Sequence, residues 1–173
     1  MEKLKFGILT VSDRAHSGEY QDLSGPAVED CLTEYIKSEW EAICILVPDN
    51  YSDVKNGLMK LSDKEGCSLI ITTGGTGPAP RDLTPEATEA VCYRILPGFG
   101  ELMRSESLKF VRTSILSRQI AGIRGTCLII NLPGKPKAIR QCMDAVFPAV
   151  PDCVKLIGGG EIEANDNEIK VHH

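Results

Sequence analysis

The sequence contains no apolar run long enough to cross a bilayer, and it does not open on a basic segment followed by an apolar one. Both absences argue against a membrane-spanning or signal-led protein. It also has no C-x-x-C pair. Its seven cysteines (Cys31, Cys44, Cys67, Cys92, Cys127, Cys142 and Cys153) are scattered and odd in number. Such spacing suggests neither a zinc knuckle nor a disulfide framework, and most of these thiols lie in apolar surroundings. A reducing cytoplasm is the expected compartment. Positive charge is not in excess either: the net charge is -5. That balance argues against nucleic acid or an anionic membrane as the main partner.

Histidine is scarce too. His16 is the only internal one, and it reads as a solvated loop residue. No Ser-His-Asp arrangement is evident, and no cysteine sits beside a clear activating base. Chemistry on this chain would therefore work by positioning and by charge neutralisation. His172 and His173 close the sequence and are not expected to bind metal. What is present is ordinary for a globular protein: 173 residues with 42% hydrophobic content, enough for one domain with a real core.

Short apolar runs alternate with helical periodicity along the chain. Phe6–Val11, Ile43–Val47, Ser68–Ile71 and Cys127–Ile130 read as strands. Helices are expected from Pro26 to about Ser38, after a Ser52 cap, from Pro85 to about Tyr93, through Leu102–Leu108, over Ala138–Val146 and over Val150–Ile157. Pro97-Gly98-Phe99-Gly100 is expected to break the chain, and Thr113–Gly125 to form a short helix followed by turns. Strands that are apolar throughout imply burial on both faces. The expected fold is a three-layer α/β sandwich around a mostly parallel sheet. It would form one domain over residues 1–157, with a polar, largely acidic and mobile tail over 158–173.

The richest stretch is Thr72-Thr73-Gly74-Gly75-Thr76-Gly77-Pro78-Ala79-Pro80-Arg81-Asp82. Glycines at a strand's end let the chain turn tightly and present backbone N–H groups. Thr84 then reads as a helix N-cap, with Pro85 in the first turn. Strand, glycine loop and helix N-terminus together suit a bound phosphate. The spacing is neither G-x-G-x-x-G nor a Walker A loop, and a glycine-rich turn without a ligand is the plainer alternative. Every other expected strand also ends in a polar or glycine-bearing motif. These are Thr10 with Ser12-Asp13-Arg14, Pro48-Asp49, and Asn131-Leu132-Pro133-Gly134. In an open parallel sheet these ends share one crevice. Arg14, Arg81, Arg118 and Lys135 would supply cations, and Asp13, Asp49 and Asp82 hard oxygen ligands, as a nucleotide or phosphoryl site requires.

These motifs resemble those of the molybdopterin adenylyltransferase (MogA-like) family. They are Thr10-Val11-Ser12-Asp13-Arg14, Pro48-Asp49, the glycine run through Thr88, Pro97–Arg104, Leu116-Ser117-Arg118-Gln119 and Asn131–Pro136, in family order over roughly residues 5 to 157. The resemblance implies transfer of AMP from Mg-ATP to the terminal phosphate of molybdopterin, with release of pyrophosphate. It implies Asp49 and Asp82 as catalytic residues and as holders of Mg²⁺. It also implies substrate contacts from Thr10, Ser12, Asp13 and Arg14, from Thr73, Gly74, Gly75, Thr76, Gly77 and Arg81, and from Ser107, Ser117, Arg118, Asn131, Pro133 and Gly134. A homotrimer, and contact with molybdenum insertase and molybdopterin synthase, are further implications. Related domains leave two alternatives open: a scaffold that binds molybdopterin without turnover, and a nicotinamide-nucleotide deamidase.

Overall fold

β-Branched and aliphatic residues set the sheet. The computed structural model describes residues 3–165. Its strands are β1 (Leu4–Val11), β2 (Trp40–Val47), β3 (Leu69–Thr73), β4 (Arg94–Ile95), β5 (Ala121–Arg124) and β6 (Cys127–Leu132). They lie in the order β2-β1-β3-β6-β5-β4. The first four of these are parallel, while β5 runs antiparallel to β6 and β4 antiparallel to β5. Every residue of β3 and β6 is buried, as expected of central strands covered on both faces.

Helices α1 (Asp13–His16), α2 (Ser24–Tyr35), α3 (Tyr51–Met59), α4 (Thr84–Val91), α5 (Pro97–Leu108), α6 (Pro136–Val146) and α7 (Val150–Leu156) surround the sheet. Side chains alternate along each strand, so two cores form. Phe6, Ile8, Leu69, Ile71, Leu128 and Ile130 pack with Val28 and Leu32 of α2 and Ile139 and Met143 of α6. Leu9, Val11, Ile70 and Ile129 pack on the other face with Val54 and Leu58 of α3 and Ala87 and Val91 of α4. Each large aliphatic side chain buried in this way contributes about 1.5–3 kcal/mol. The expected three-layer α/β architecture is the one found.

Four local expectations are corrected. Residues 121–124 form a strand rather than turns, because Gly125 and Thr126 make a two-residue connection that folds β5 back onto β6. Pro97 opens α5 instead of breaking the chain before it, its missing N–H costing nothing in the first turn. Asn50, not Ser52, caps α3, its Oδ1 accepting from the N–H groups of Ser52 (3.0 Å) and Asp53 (3.2 Å). Residues 158–165 dock on the body. Ile162 is buried, Ala164 bridges Ile36, and Glu163 pairs with Lys37. The rest of the expected tail, with His172 and His173, lies outside the described residues.

Candidate active site

The chain leaves β1 for a neighbour on one side, β2, and β3 lies on the other. Their carboxyl ends therefore flank a topological switch point, the place where open α/β sheets bind ligands. The glycine loop following β3 sits there. Gly74 and Gly75 adopt φ of 96° and 67°. A β-carbon on Gly74 would come within 2.2 Å of the Val11 carbonyl oxygen, and one on Gly75 within 2.4 Å of Thr84 Oγ1. Only glycine fits at either place.

The loop's carbonyls are tied away from the crevice one by one. Thr84 Oγ1 donates to Gly74 O (3.0 Å) and Thr84 N–H to Gly75 O (3.1 Å). Arg118 N–H donates to Thr76 O (2.8 Å) and Arg118 Nε to Gly77 O (2.9 Å). Within a trans peptide the N–H points opposite to the C=O. Fixing the carbonyls of residues 74, 75 and 76 thus aims the N–H groups of Gly75, Thr76 and Gly77 to the other side. Among the described residues none of these three N–H groups has an acceptor. Pro78, which has no N–H, ends the row. Such a row of N–H groups is an anion-binding concavity.

Carboxylates border it. Asp13 and Asp49 exchange bonds: Asp13 N–H donates to Asp49 Oδ2 (2.9 Å) and Asp49 N–H to Asp13 Oδ1 (3.0 Å). Arg81 grips Asp13 through Nε (2.7 Å) and Nη2 (2.9 Å), which holds the Asp13 carboxyl below the usual range. The Asp49 carboxyl is pushed up, mainly by burial and further by the charges of Asp13 and Asp82, against the lowering effect of the Asp13 N–H and Arg81. Asp49 Oδ1 lies 3.3 Å from where a Gly75 β-carbon would be, and Asp82 Oδ2 2.8 Å from the same point on Gly77. Both carboxylates therefore face the loop. Asp82 Oδ2 also accepts from Ala79 N–H (3.1 Å).

Two cavities flank the Pro133–Lys135 turn, and the smaller also reaches the loop at Gly74. The smaller, about 120 Å³, is lined by Val11, Ser12, Tyr20, Asp22, Gly74 and Gly134 among others. The larger, about 220 Å³, is lined by Arg104, Ser107, Ser114, Ser117, Gln119, Pro133, Lys135 and Gln141 among others. The Pro133–Lys135 turn is their common wall, pinned by Thr73 Oγ1 to Pro133 O (2.8 Å).

The expected site residues thus divide. Asp13, Asp49, Arg81, Asp82 and the 74–77 loop converge at the crevice. Ser107 and Ser117, distant in sequence, share the larger cavity; Ser107 Oγ lies 3.5 Å from Cys142 Sγ, and Ser117 Oγ donates to Gln119 Oε1. Arg14 is exposed on α1, its guanidinium 5.3 Å from the centre of the Tyr20 ring. Ser12 caps α1 and Thr10 donates to Asp22 Oδ2 (2.9 Å). Thr73 and Asn131 are fully buried beneath the loop. The Asn131 amide donates to Thr72 Oγ1 (3.0 Å) and Thr88 Oγ1 (2.9 Å), so it is engaged internally. Arg118 is likewise occupied, by the loop carbonyls and by Glu86. Asp22, Glu86 and Arg104 were not singled out from sequence. Asp22 precedes Ser24-Gly25-Pro26 and accepts from the Ser24 and Gly25 N–H groups at 3.1 and 3.0 Å, a capping pattern that could have been read.

Among the described residues no group of three or more His, Cys, Asp and Glu side chains is placed to hold a metal ion. The donor set nonetheless fits Mg²⁺ arriving with a nucleotide. That ion takes one or two carboxylates and completes its shell with substrate phosphates and water.

Residues 7–152 match the family described as "Probable molybdopterin binding domain". The chain belongs to that family. Curated relatives of this molybdopterin-binding family include the molybdopterin adenylyltransferase of Helicobacter pylori, 54% identical over 98% of this chain and 97% of its own length. The molybdopterin adenylyltransferase of Escherichia coli K12 is 45% identical over 94% of this chain and 90% of its own. Among solved structures, the molybdopterin biosynthesis enzyme MoaB of Thermus thermophilus superposes with a TM-score of 0.84 at 44% identity, covering 92% of this chain and 99% of that one. The molybdopterin-binding fold of this family is thus the fold described above.

Proposed function

We propose that this protein is a molybdopterin adenylyltransferase, transferring AMP from Mg-ATP to the terminal phosphate of molybdopterin and releasing pyrophosphate. The observation that carries the reading is the row of N–H groups at Gly75, Thr76 and Gly77, without acceptors among the described residues, on a loop bordered by Asp49 and Asp82. The near-full-length relatives named for this activity support it.

A phosphate oxygen of molybdopterin attacks the α-phosphorus of ATP, and the bond from that phosphorus to the bridging oxygen breaks. The nucleophile is already an anion at neutral pH, so no strong base is needed, in keeping with a crevice bordered by carboxylates and N–H groups. The barrier is the approach of two anions and the charge left on pyrophosphate. The loop N–H groups stabilise phosphate oxygens. Asp49 and Asp82 would hold the Mg²⁺ that accompanies ATP, which supplies Lewis-acid neutralisation of the phosphate charge. The larger cavity, with the hydroxyls of Ser107, Ser114 and Ser117, the Gln119 and Gln141 amides and the Arg104 and Lys135 cations, suits the polar pterin.

Incubation with molybdopterin and Mg-ATP is expected to give adenylylated pterin and pyrophosphate in equal amounts, with both substrates and Mg²⁺ required. Tight molybdopterin binding without either product would replace the enzyme by a scaffold. The active form is a homotrimer, a reading supported by exposed apolar side chains at Phe110, Val111, Ile115 and Leu116. Sedimentation equilibrium should return three times the chain mass; a single-chain mass at micromolar concentration overturns the assembly. The cytoplasm remains the compartment, in keeping with cysteines that are all free thiols.

A further inference from the structure

Arg118 lies on the stretch between the 3₁₀ turn Arg112–Leu116 and β5, far in sequence from the loop it serves. Its own N–H fixes Thr76 O, its Nε fixes Gly77 O, and its Nη2 fixes Asp82 O at 2.6 Å. Glu86, in the first turn of α4, holds the two Nη atoms from the far side. Most of the guanidinium's donors are therefore committed to protein acceptors. The residues on either side are fixed as well, since Arg104 Nη1 donates to Gln119 O (2.9 Å) and Ser117 O (3.4 Å).

We propose that Arg118, braced by Glu86, is a positioning residue of adenylyl transfer, its guanidinium fixing the Gly77–Pro78 peptide and the backbone of Asp82 beside the phosphate without touching substrate. Thr84 holds the two preceding peptides, so the cradle has two independent anchors: Thr84 aims the Gly75 and Thr76 N–H groups, while the Arg118 backbone N–H aims that of Gly77 and its guanidinium holds the Gly77 and Asp82 carbonyls. The proposal rests on the adenylyl-transfer reading for its kinetic consequence, but the division of labour within the loop does not.

That division gives the test. In an amide NMR titration with tripolyphosphate, the wild-type resonances of Gly75, Thr76 and Gly77 should all shift. In Arg118→Met, which keeps the backbone bond to Thr76 O, all three shifts should persist with tripolyphosphate affinity within about threefold, while the Leu83 amide, whose peptide carbonyl the guanidinium held, should move in the ligand-free spectrum. Under the adenylyl-transfer assay the same variant should lose roughly tenfold to 10²-fold in kcat, as expected when Asp82 is no longer held in place, with KM for ATP within about threefold. Arg118→Lys, which keeps a cation able to reach one carbonyl, should recover part of kcat. Glu86→Gln keeps the arginine and its carbonyl bonds and serves if Arg118→Met fails to fold; it should lower kcat less than Arg118→Met and leave KM for ATP unchanged.

If tripolyphosphate binds Arg118→Met at least about tenfold more weakly, or if KM for ATP rises with kcat unchanged, Arg118 contacts the ligand directly and the proposal fails. A rise in ATP affinity in Glu86→Gln would also overturn it, since that is the behaviour of a phosphate ligand released from a competitor. A wild-type protein whose loop amides ignore tripolyphosphate overturns the cradle itself and the proposal with it. Wild-type shifts without adenylylated product sink only the assigned reaction.

Discussion

Gly75→Val is expected to leave a folded protein that binds ATP at least about 10²-fold more weakly, the scale of losing a charge-stabilising contact. Gly75 sits at φ of 67°, where a β-branched residue is strained by about 1–3 kcal/mol. That cost is smaller than the roughly 5–15 kcal/mol by which a domain of this kind is stable, so the sheet should survive. The damage is local. The new β-carbon would lie 2.4 Å from Thr84 Oγ1, the hydroxyl that fixes Gly74 O, and 3.3 Å from Asp49 Oδ1. To relieve the first contact the loop or Thr84 must shift, and either movement turns the Gly75 and Thr76 N–H groups off their aim. Gly98→Ala is the control. Gly98 lies in the first turn of α5 with nothing within 4 Å of its β-position, so ATP affinity should be unchanged. Calorimetric titration with ATP beside a thermal melt decides the matter. A folded Gly75→Val protein with wild-type affinity would mean that the nucleotide phosphates lie elsewhere.

The glycine loop could be read from sequence because its constraint is written in residue type. Positions that allow no β-carbon must be glycine, and Gly74 and Gly75 follow a strand that is plain from its apolar run. The inner parallel strands β1, β3 and β6 are equally plain, since burial on both faces leaves an unbroken apolar stretch, whereas β2 shows the same apolar run at the sheet edge with Cys44 and Leu46 exposed. What holds the loop was not legible in the same way. Arg118 looks like any cation available to phosphate, and nothing local shows that its guanidinium is already shared among Gly77 O, Asp82 O and Glu86. Asn131 and Thr73 are polar residues at strand ends, where ligand contacts are expected. Their complete burial is a property of the central position of β6 and β3 in the sheet. The antiparallel strands β4 and β5 span two and four residues, too short for a period-two pattern to stand out. In the acidic stretch after Gly160 it is Ile162 that supplies the apolar anchor, and its effect depends on meeting the face beside Ile36.

Asp49→Asn is expected to lower adenylyl transfer by about 10²-fold or more while sparing the fold. The side-chain amide keeps an oxygen to accept from Asp13 N–H, and the backbone bond to Asp13 Oδ1 is untouched, so the pairing of the β1 and β2 ends should hold. Only the charge is removed, and with it the group argued to hold Mg²⁺ against the phosphates. Stability should move the opposite way to activity. Burial pushes the Asp49 carboxyl up, and the charges of Asp13 and Asp82 add to it, so the folded protein binds this proton more tightly than the unfolded chain. An acid with a raised folded pKa loses stability as pH climbs from the unfolded value through the folded one. The variant escapes that loss. It should therefore match the wild type in acid, below the ordinary carboxylate range, gain on it as pH rises through the window, and keep a constant advantage at neutral pH. Melts across that pH range, paired with pyrophosphate release at neutral pH, separate the possibilities. Full turnover in the variant removes Asp49 from the mechanism, whereas a variant less stable than the wild type at neutral pH shows that the carboxylate is held for the fold rather than for the reaction.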